Sequence, residues 1–106
     1  MTDKIGNRKH GAVFTPKEIA RKMAYLIPED KLHSVLDPAC GSGNLLVAVV
    51  NRRLKLGHSP EDISNGIHGY DIQPHYIEQC RTRLQKLCPE QPFPNLIVGD
   101  FLKVEN

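Results

Sequence analysis

Apolar residues return along this chain in two rhythms, and the switches between them outline a series of elements. Over residues 15–27, Ile19, Met23, Leu26 and Ile27 recur at helical spacing and fall on one face. Thr15 as N-cap, Pro16 at the first helical position and Glu18 three residues after the cap predict a capping box at the helix start. Phe14 and Ile19 take the hydrophobic-staple positions, and Pro28 stops the helix.

A short apolar run at 34–37 ends at Asp37 and reads as a strand. After the turn Gly41-Ser42-Gly43, residues 44–56 are apolar nearly all round for two turns, which predicts a helix buried against a sheet. Arg52, Arg53 and Lys55 suit the C-terminal end of its dipole, and Gly57 stands where a C-cap glycine is needed. After a loop, "GIHGYDI" at 66–72 predicts a second strand ending at Asp71, and Pro74 opens a helix with the face Ile77, Cys80, Leu84 and Leu87. The proline-rich "CPEQPFP" breaks that helix, and "NLIV" at 95–98 predicts a third strand running into Gly99-Asp100-Phe101.

Helix, strand, helix, strand, helix, strand is the order of an α/β fold with parallel strands, right-handed crossovers and flanking helices. Each strand meets an acidic residue at its end: Asp37, Asp71 and Asp100. That places three carboxylates along one sheet edge, where ligands of open α/β sheets bind.

With 106 residues the chain has the material for one modest core, so residues 1–106 are expected to form a single domain. Hydrophobic residues at 40% and charged residues at 25% match ordinary globular composition, with no apolar stretch long enough to cross a membrane. Residues 1–13 read as a flexible basic segment without the apolar core of a secretory signal, and the expected location is the cytoplasm. Cys40, Cys80 and Cys88 are odd in number and lack Cys-x-x-Cys spacing, so reduced thiols are expected. The five histidines are scattered without ligand spacing, and no metal site is predicted. A net charge of +2 does not by itself announce nucleic acid, and the basic excess before residue 23 fits a solvated face or phosphate contact.

The glycine turn discriminates among ligands. A triphosphate site wants Gly-x-x-x-x-Gly-Lys-Ser/Thr, and Gly43 is followed by Asn44 with no lysine. A dinucleotide site wants Gly-x-Gly-x-x-Gly, and Leu46 stands where the third glycine would lie. An aspartate at the strand end opposes a pyrophosphate and favours a ligand with cationic groups. S-adenosylmethionine, with a sulfonium and an amino group and no phosphate, suits that pattern. Asp71 would accept its ribose hydroxyls and Asp100 its adenine amino group, with Phe101 or Ile72 against the ring. Taken singly, a tight bend, a turn residue and a loop account for these features equally well.

These motifs resemble the S-adenosylmethionine-binding half of the adenine-specific, amino-methylating DNA methyltransferases of restriction-modification systems. "FTP" at 14–16 resembles the family's N-terminal cofactor motif at the methionine end, and "LDPACGSGNLL" at 36–46 its glycine-rich motif. "GYDIQP" at 69–74 resembles the ribose-binding acidic motif, and "VGDFL" at 98–102 the adenine-contacting one. The resemblance implies the first half of a Rossmann-like methyltransferase fold, with cofactor roles for Thr15, Asp37, Ala39, Gly41, Gly43, Asp71, Ile72, Asp100 and Phe101. It implies DNA as the partner of the complete enzyme.

The family's catalytic signature, Asn/Asp/Ser-Pro-Pro-aromatic, is absent, because no Pro-Pro dipeptide occurs in these 106 residues. The chain alone is therefore not expected to catalyse transfer, and no catalytic residue is assigned. Two alternatives stand beside this reading: a non-catalytic cofactor-binding or subunit-pairing module, and half of a nucleotide-dependent oxidoreductase. In the family's strand order the first strand lies inside the sheet, so here its outer edge would be open. That predicts self-association, a partner chain, or a terminus folded over the edge.

Overall fold

The structure, a computed structural model, describes residues 15–103. The basic segment at 1–13 and the staple position of Phe14 lie outside the described residues.

Helix α1 spans Lys17–Leu26 and is followed by a 3-10 turn at Glu29–Lys31, strand β1 at Val35–Asp37 and helix α2 at Asn44–Lys55. Helix α3 at Pro60–Gly66, strand β2 at Ile67–Asp71, helix α4 at Pro74–Leu87, strand β3 at Leu96–Val98 and a 3-10 turn at Phe101–Lys103 complete the order. The strands form one parallel sheet in the order β1-β2-β3, with Val35 opposite Ile67 and Gly69 opposite Leu96. This is the expected α/β architecture in part of a Rossmann-like fold.

The core lies on one side of that sheet. Val35, Ile67 and Leu96 point into it from the strands, Leu46, Val49 and Val50 from α2, and Ile77, Cys80 and Leu84 from α4. The alternate positions Leu36 and Ile97, in register with His68 and Tyr70, are exposed. Among the described residues the sheet is therefore covered on one face, and β1 has its outer edge free of a strand partner.

Two expectations about α1 are corrected. Pro16 has ψ 147°, an extended conformation, so it is the N-cap and the helix begins one residue later than predicted, with no side-chain cap. That shift takes Thr15 and Glu18 out of capping-box register. The buried face is also different: Ala20 and Ala24 are buried, whereas Ile19, Met23 and Leu26 are exposed. The small alanines let α1 lie directly on α2. Arg52 of α2 then closes the end of α1, donating to the carbonyls of Ala24 at 2.6 Å and Ile27 at 2.5 Å. Ile27 is extended, as the residue before Pro28 must be.

Elsewhere the local signals held. Gly57, at φ 85°, ends α2 in a Schellman motif, with its N–H donating to Leu54 and that of His58 to Arg53. Helix α3 stands where the apolar pattern predicts a loop, and Ser59-Pro60 marks its start: the Ser59 hydroxyl accepts the Asp62 N–H and Pro60 takes the first turn. Its seven residues are too few for an apolar period to show. Arg53, in the last turn of α2, is 1% exposed. It donates through Nε to His58 Nδ1 at 2.9 Å and reaches the carbonyls of His33 and Asp62 at 3.5 Å.

Candidate functional site

Parallel strands carry their C-terminal loops to one edge of the sheet, and there the structure places a cavity of about 450 Å³. Pro38, Ala39, Asp71, Ile72, Gly99, Asp100, Phe101 and Leu102 line it. Five of these, Ala39, Asp71, Ile72, Asp100 and Phe101, are residues singled out from the sequence. Pro38, Gly99 and Leu102 were not, although each lies within one of the quoted motifs.

The floor is built from the first loop. Asp37 ends β1, and its Oδ1 accepts the Ala39 N–H at 3.1 Å, turning the chain back at Pro38. The Cys40 N–H donates to the Tyr70 carbonyl at 2.8 Å, joining the loop to β2. Gly41 and Gly43 follow with φ 54° and 97°, left-handed values that side chains resist. Gly43 is required on a second count, since a Cβ there would stand 2.6 Å from Cys80 Sγ. Its carbonyl accepts the Val47 N–H at 2.7 Å and starts α2.

Asp71, only 3% exposed, ties three segments together. Its Oδ2 accepts the Gly41 N–H at 3.0 Å and its Oδ1 accepts the Gln73 N–H at 2.9 Å. Its backbone carbonyl accepts the Gly99 N–H at 2.9 Å, drawing the loop after β3 alongside. Each carboxylate oxygen keeps acceptor capacity beyond these bonds. At the other wall, Asp100 Oδ1 accepts the Leu102 N–H at 2.9 Å and shapes the 3-10 turn that carries Phe101. The Phe101 ring stands edge-on to Tyr70, centroids 5.3 Å apart.

The electrostatics are those of an anionic rim. Among the described residues the lining contains two carboxylates and no basic side chain. Burial raises the Asp37 carboxyl above its ordinary range; the Ala39 N–H pulls it back, and the nearby Asp71 charge pushes it up again. An acid held that way gains from a positive group placed beside it. The Cys40 thiol is raised far above its usual range by its contact with Cys80 and by burial, so both sulfurs are packing groups beneath the turn, and the cysteines are free thiols.

Four residues singled out from the sequence, Asp37, Gly41, Gly43 and Thr15, are not in the cavity lining; the first three build the loop beneath it, and Thr15 lies apart. Its carbonyl accepts Asn44 Nδ2 at 2.7 Å, which anchors the entry to α1 on the first residue of α2. No sequence motif points to Arg83, whose Nη1 donates to the Ser42 carbonyl and to Asn44 Oδ1, both at 2.9 Å. A helical arginine on a polar face carries no signature of a long-range partner.

Among the described residues, no helix is long and apolar enough to cross a membrane. A family model described as N-6 DNA Methylase matches residues 3–85, more than half of the chain. The Type II methyltransferase M.VspI of a Vibrio species is 38% identical over 81 residues, covering 76% of this chain and 18% of that protein. The Type II restriction enzyme and methyltransferase RM.BcgI of Heyndrickxia coagulans is 42% identical over 67 residues, covering 59% of this chain and 10% of that protein. The Type I restriction enzyme MjaVII methylase subunit of Methanocaldococcus jannaschii is 49% identical over 39 residues, 37% of this chain and 7% of that protein. The chain thus spans less than a fifth of the length of these relatives. No solved structure matches it.

Proposed function

The chain belongs to the N-6 DNA methylase family, and from that premise we propose that it is the S-adenosylmethionine-binding portion of an enzyme that methylates the adenine N6 amino group in DNA. The observation that carries this reading is the cavity beyond the strand ends, rimmed by Asp71 and Asp100, with no basic side chain among the described residues that line it, and floored by the loop that Asp37 turns. Its volume of about 450 Å³ suits a small-molecule site. Its charge suits a cation and opposes a phosphate.

The residues fit the group in detail. Asp37, already destabilised as an anion by burial, would gain from the ligand's positive end. Asp71 would offer its remaining lone pairs to the ribose hydroxyls, and Asp100 would accept from the adenine amino group. Ile72 and Phe101, half-exposed at the wall, would lie against the ring. Ala39 would let backbone approach closely, Gly41 and Gly43 would serve the ligand by shaping the turn beneath it, and Thr15 would act at the methionine end through the segment that Asn44 anchors. When bound, S-adenosylmethionine supplies an electrophilic methyl group. The chain contributes its orientation, while the acceptor contacts to a flipped base would come from a Pro-Pro-aromatic motif that these residues do not contain. DNA is the proposed substrate of the complete enzyme, acting in the cytoplasm.

Titration calorimetry of the chain with S-adenosylmethionine, S-adenosylhomocysteine and a nicotinamide dinucleotide tests this. Binding of the first two and not the third is expected. Binding of the dinucleotide alone would replace the reading with the oxidoreductase one. A second reading, in which this module pairs with another copy or another subunit, is favoured by the open edge of β1 and the exposed face carrying Leu36 and Ile97. Sedimentation of the chain over a concentration series tests it, and a monomer at every concentration would exclude self-pairing.

A further inference from the structure

Resting on that reading of the cavity, we propose that Arg83 is a positioning residue for the cofactor turn, acting from α4 without lining the cavity itself. Gly41-Ser42-Gly43 is a stretch whose glycines make the required φ values accessible and, for the same reason, leave the backbone free to take others. A turn of that kind presents a defined surface to a ligand only when its polar groups are held from outside. The structure supplies two such holds from separate elements. Asp71 of β2 accepts the Gly41 N–H, while the Gly43 N–H closes the turn on itself through the Cys40 carbonyl. The carbonyl between them, that of Ser42, is held by Arg83.

The same guanidinium nitrogen fixes Asn44. With Oδ1 taken by Arg83, the amide must present Nδ2 to the other side, where it donates to the Thr15 carbonyl at 2.7 Å. One side chain on α4 therefore sets both the exit of the turn and the docking of the segment that enters α1. Arginine suits this task because its planar fork holds donors in fixed directions, whereas a lysine ammonium is a single point on a flexible stem. Arg83 is half-buried, so its contacts form away from bulk solvent while its loss opens no core cavity.

The test is the S-adenosylmethionine affinity of the chain, measured calorimetrically for wild type, Arg83→Ala, Arg83→Lys, Asn44→Ala and the Arg83→Ala/Asn44→Ala double variant, with Lys86→Ala as a control on the same helix. Thermal midpoints without ligand are recorded alongside. Arg83→Ala is expected to weaken binding about tenfold, the usual scale of a charge-assisted hydrogen bond. Its unliganded midpoint should stay near wild type, and Arg83→Lys should recover part of the loss. The double variant should bind no more weakly than the worse single one, because both residues act through one chain of bonds. Wild-type affinity in Arg83→Ala, or strictly additive losses in the double variant, would overturn the proposal. So would a loss of binding that tracks a fallen midpoint and is not recovered by lysine. Failure of the wild-type chain to bind S-adenosylmethionine would instead overturn the cavity reading, and this inference with it.

Discussion

Asp71 Oδ2 and the Gly41 N–H meet at 3.0 Å across thirty positions of sequence, so the end of the second strand holds the turn that follows the first. This gives Asp71 a structural task in addition to its proposed ligand contact. Asp71→Ala would leave the Gly41 and Gln73 amides without their acceptors, and the chain is expected to lose about 2 kcal/mol of stability. Urea unfolding measures this. Unchanged stability with abolished cofactor binding would show that the carboxylate serves the ligand alone.

Asp37 points the other way. Its folded carboxyl is raised by burial, so the protonated form is favoured in the native state. The resulting stabilisation is full below the unfolded value of about 3.9 and is lost as pH rises through the folded one. Asp37→Asn keeps an oxygen for the Ala39 N–H and removes the buried charge. The ligand-free chain is therefore expected to melt higher at pH 7, with the gain vanishing toward pH 3, while affinity for S-adenosylmethionine falls. A lower midpoint at pH 7 in the variant would contradict the sign.

Gly43 carries two separable constraints. Gly43→Ala pays for a left-handed alanine and for a Cβ driven against Cys80 Sγ, and should cost at least about 2 kcal/mol. Adding Cys80→Ala removes the sulfur and should return the steric part only. Denaturation of the two singles and the double measures the division. Strict additivity would mean that the sulfur is not the obstacle.

Arg53 joins the loop before β1, helix α2 and helix α3 through His33, His58 and Asp62. Arg53→Ala should cost about 3 kcal/mol, from lost packing and unpaired acceptors together. Arg53→Lys should recover little, since an ammonium cannot reproduce the fork. A fully stable lysine variant would show that charge, and not geometry, is what the site needs.

The element order, the parallel sheet and the cluster of Asp71, Ile72, Asp100 and Phe101 at one sheet edge were legible in the sequence. Each rests on short-range signals: apolar runs of strand length, Pro74 at a helix start, Gly57 at a helix end, and an acidic residue ending β1 and β2 and following β3 by two positions. Helix α3 was missed because one short helix offers less than two full periods, even with Ser59-Pro60 in place. The capping box was misplaced because the motif is read from residue types, whereas Pro16 took an extended ψ and moved the register by one.

Short-range pattern alone places the three strands, the three longer helices to within a residue or two, and the side chains that arrive beyond the strand ends. Those properties follow from local sterics and from the period of the apolar pattern. Tertiary structure decided the rest. Helical spacing places Ile19, Met23 and Leu26 on one stripe and Ala20 and Ala24 on the next, and close approach to α2, where small side chains pack, selected the alanines. The partners that Asp71, Arg53 and Arg83 find lie on other elements, and long-range hydrogen bonds leave no periodic trace along a chain. They exist only once the sheet has brought its loops together.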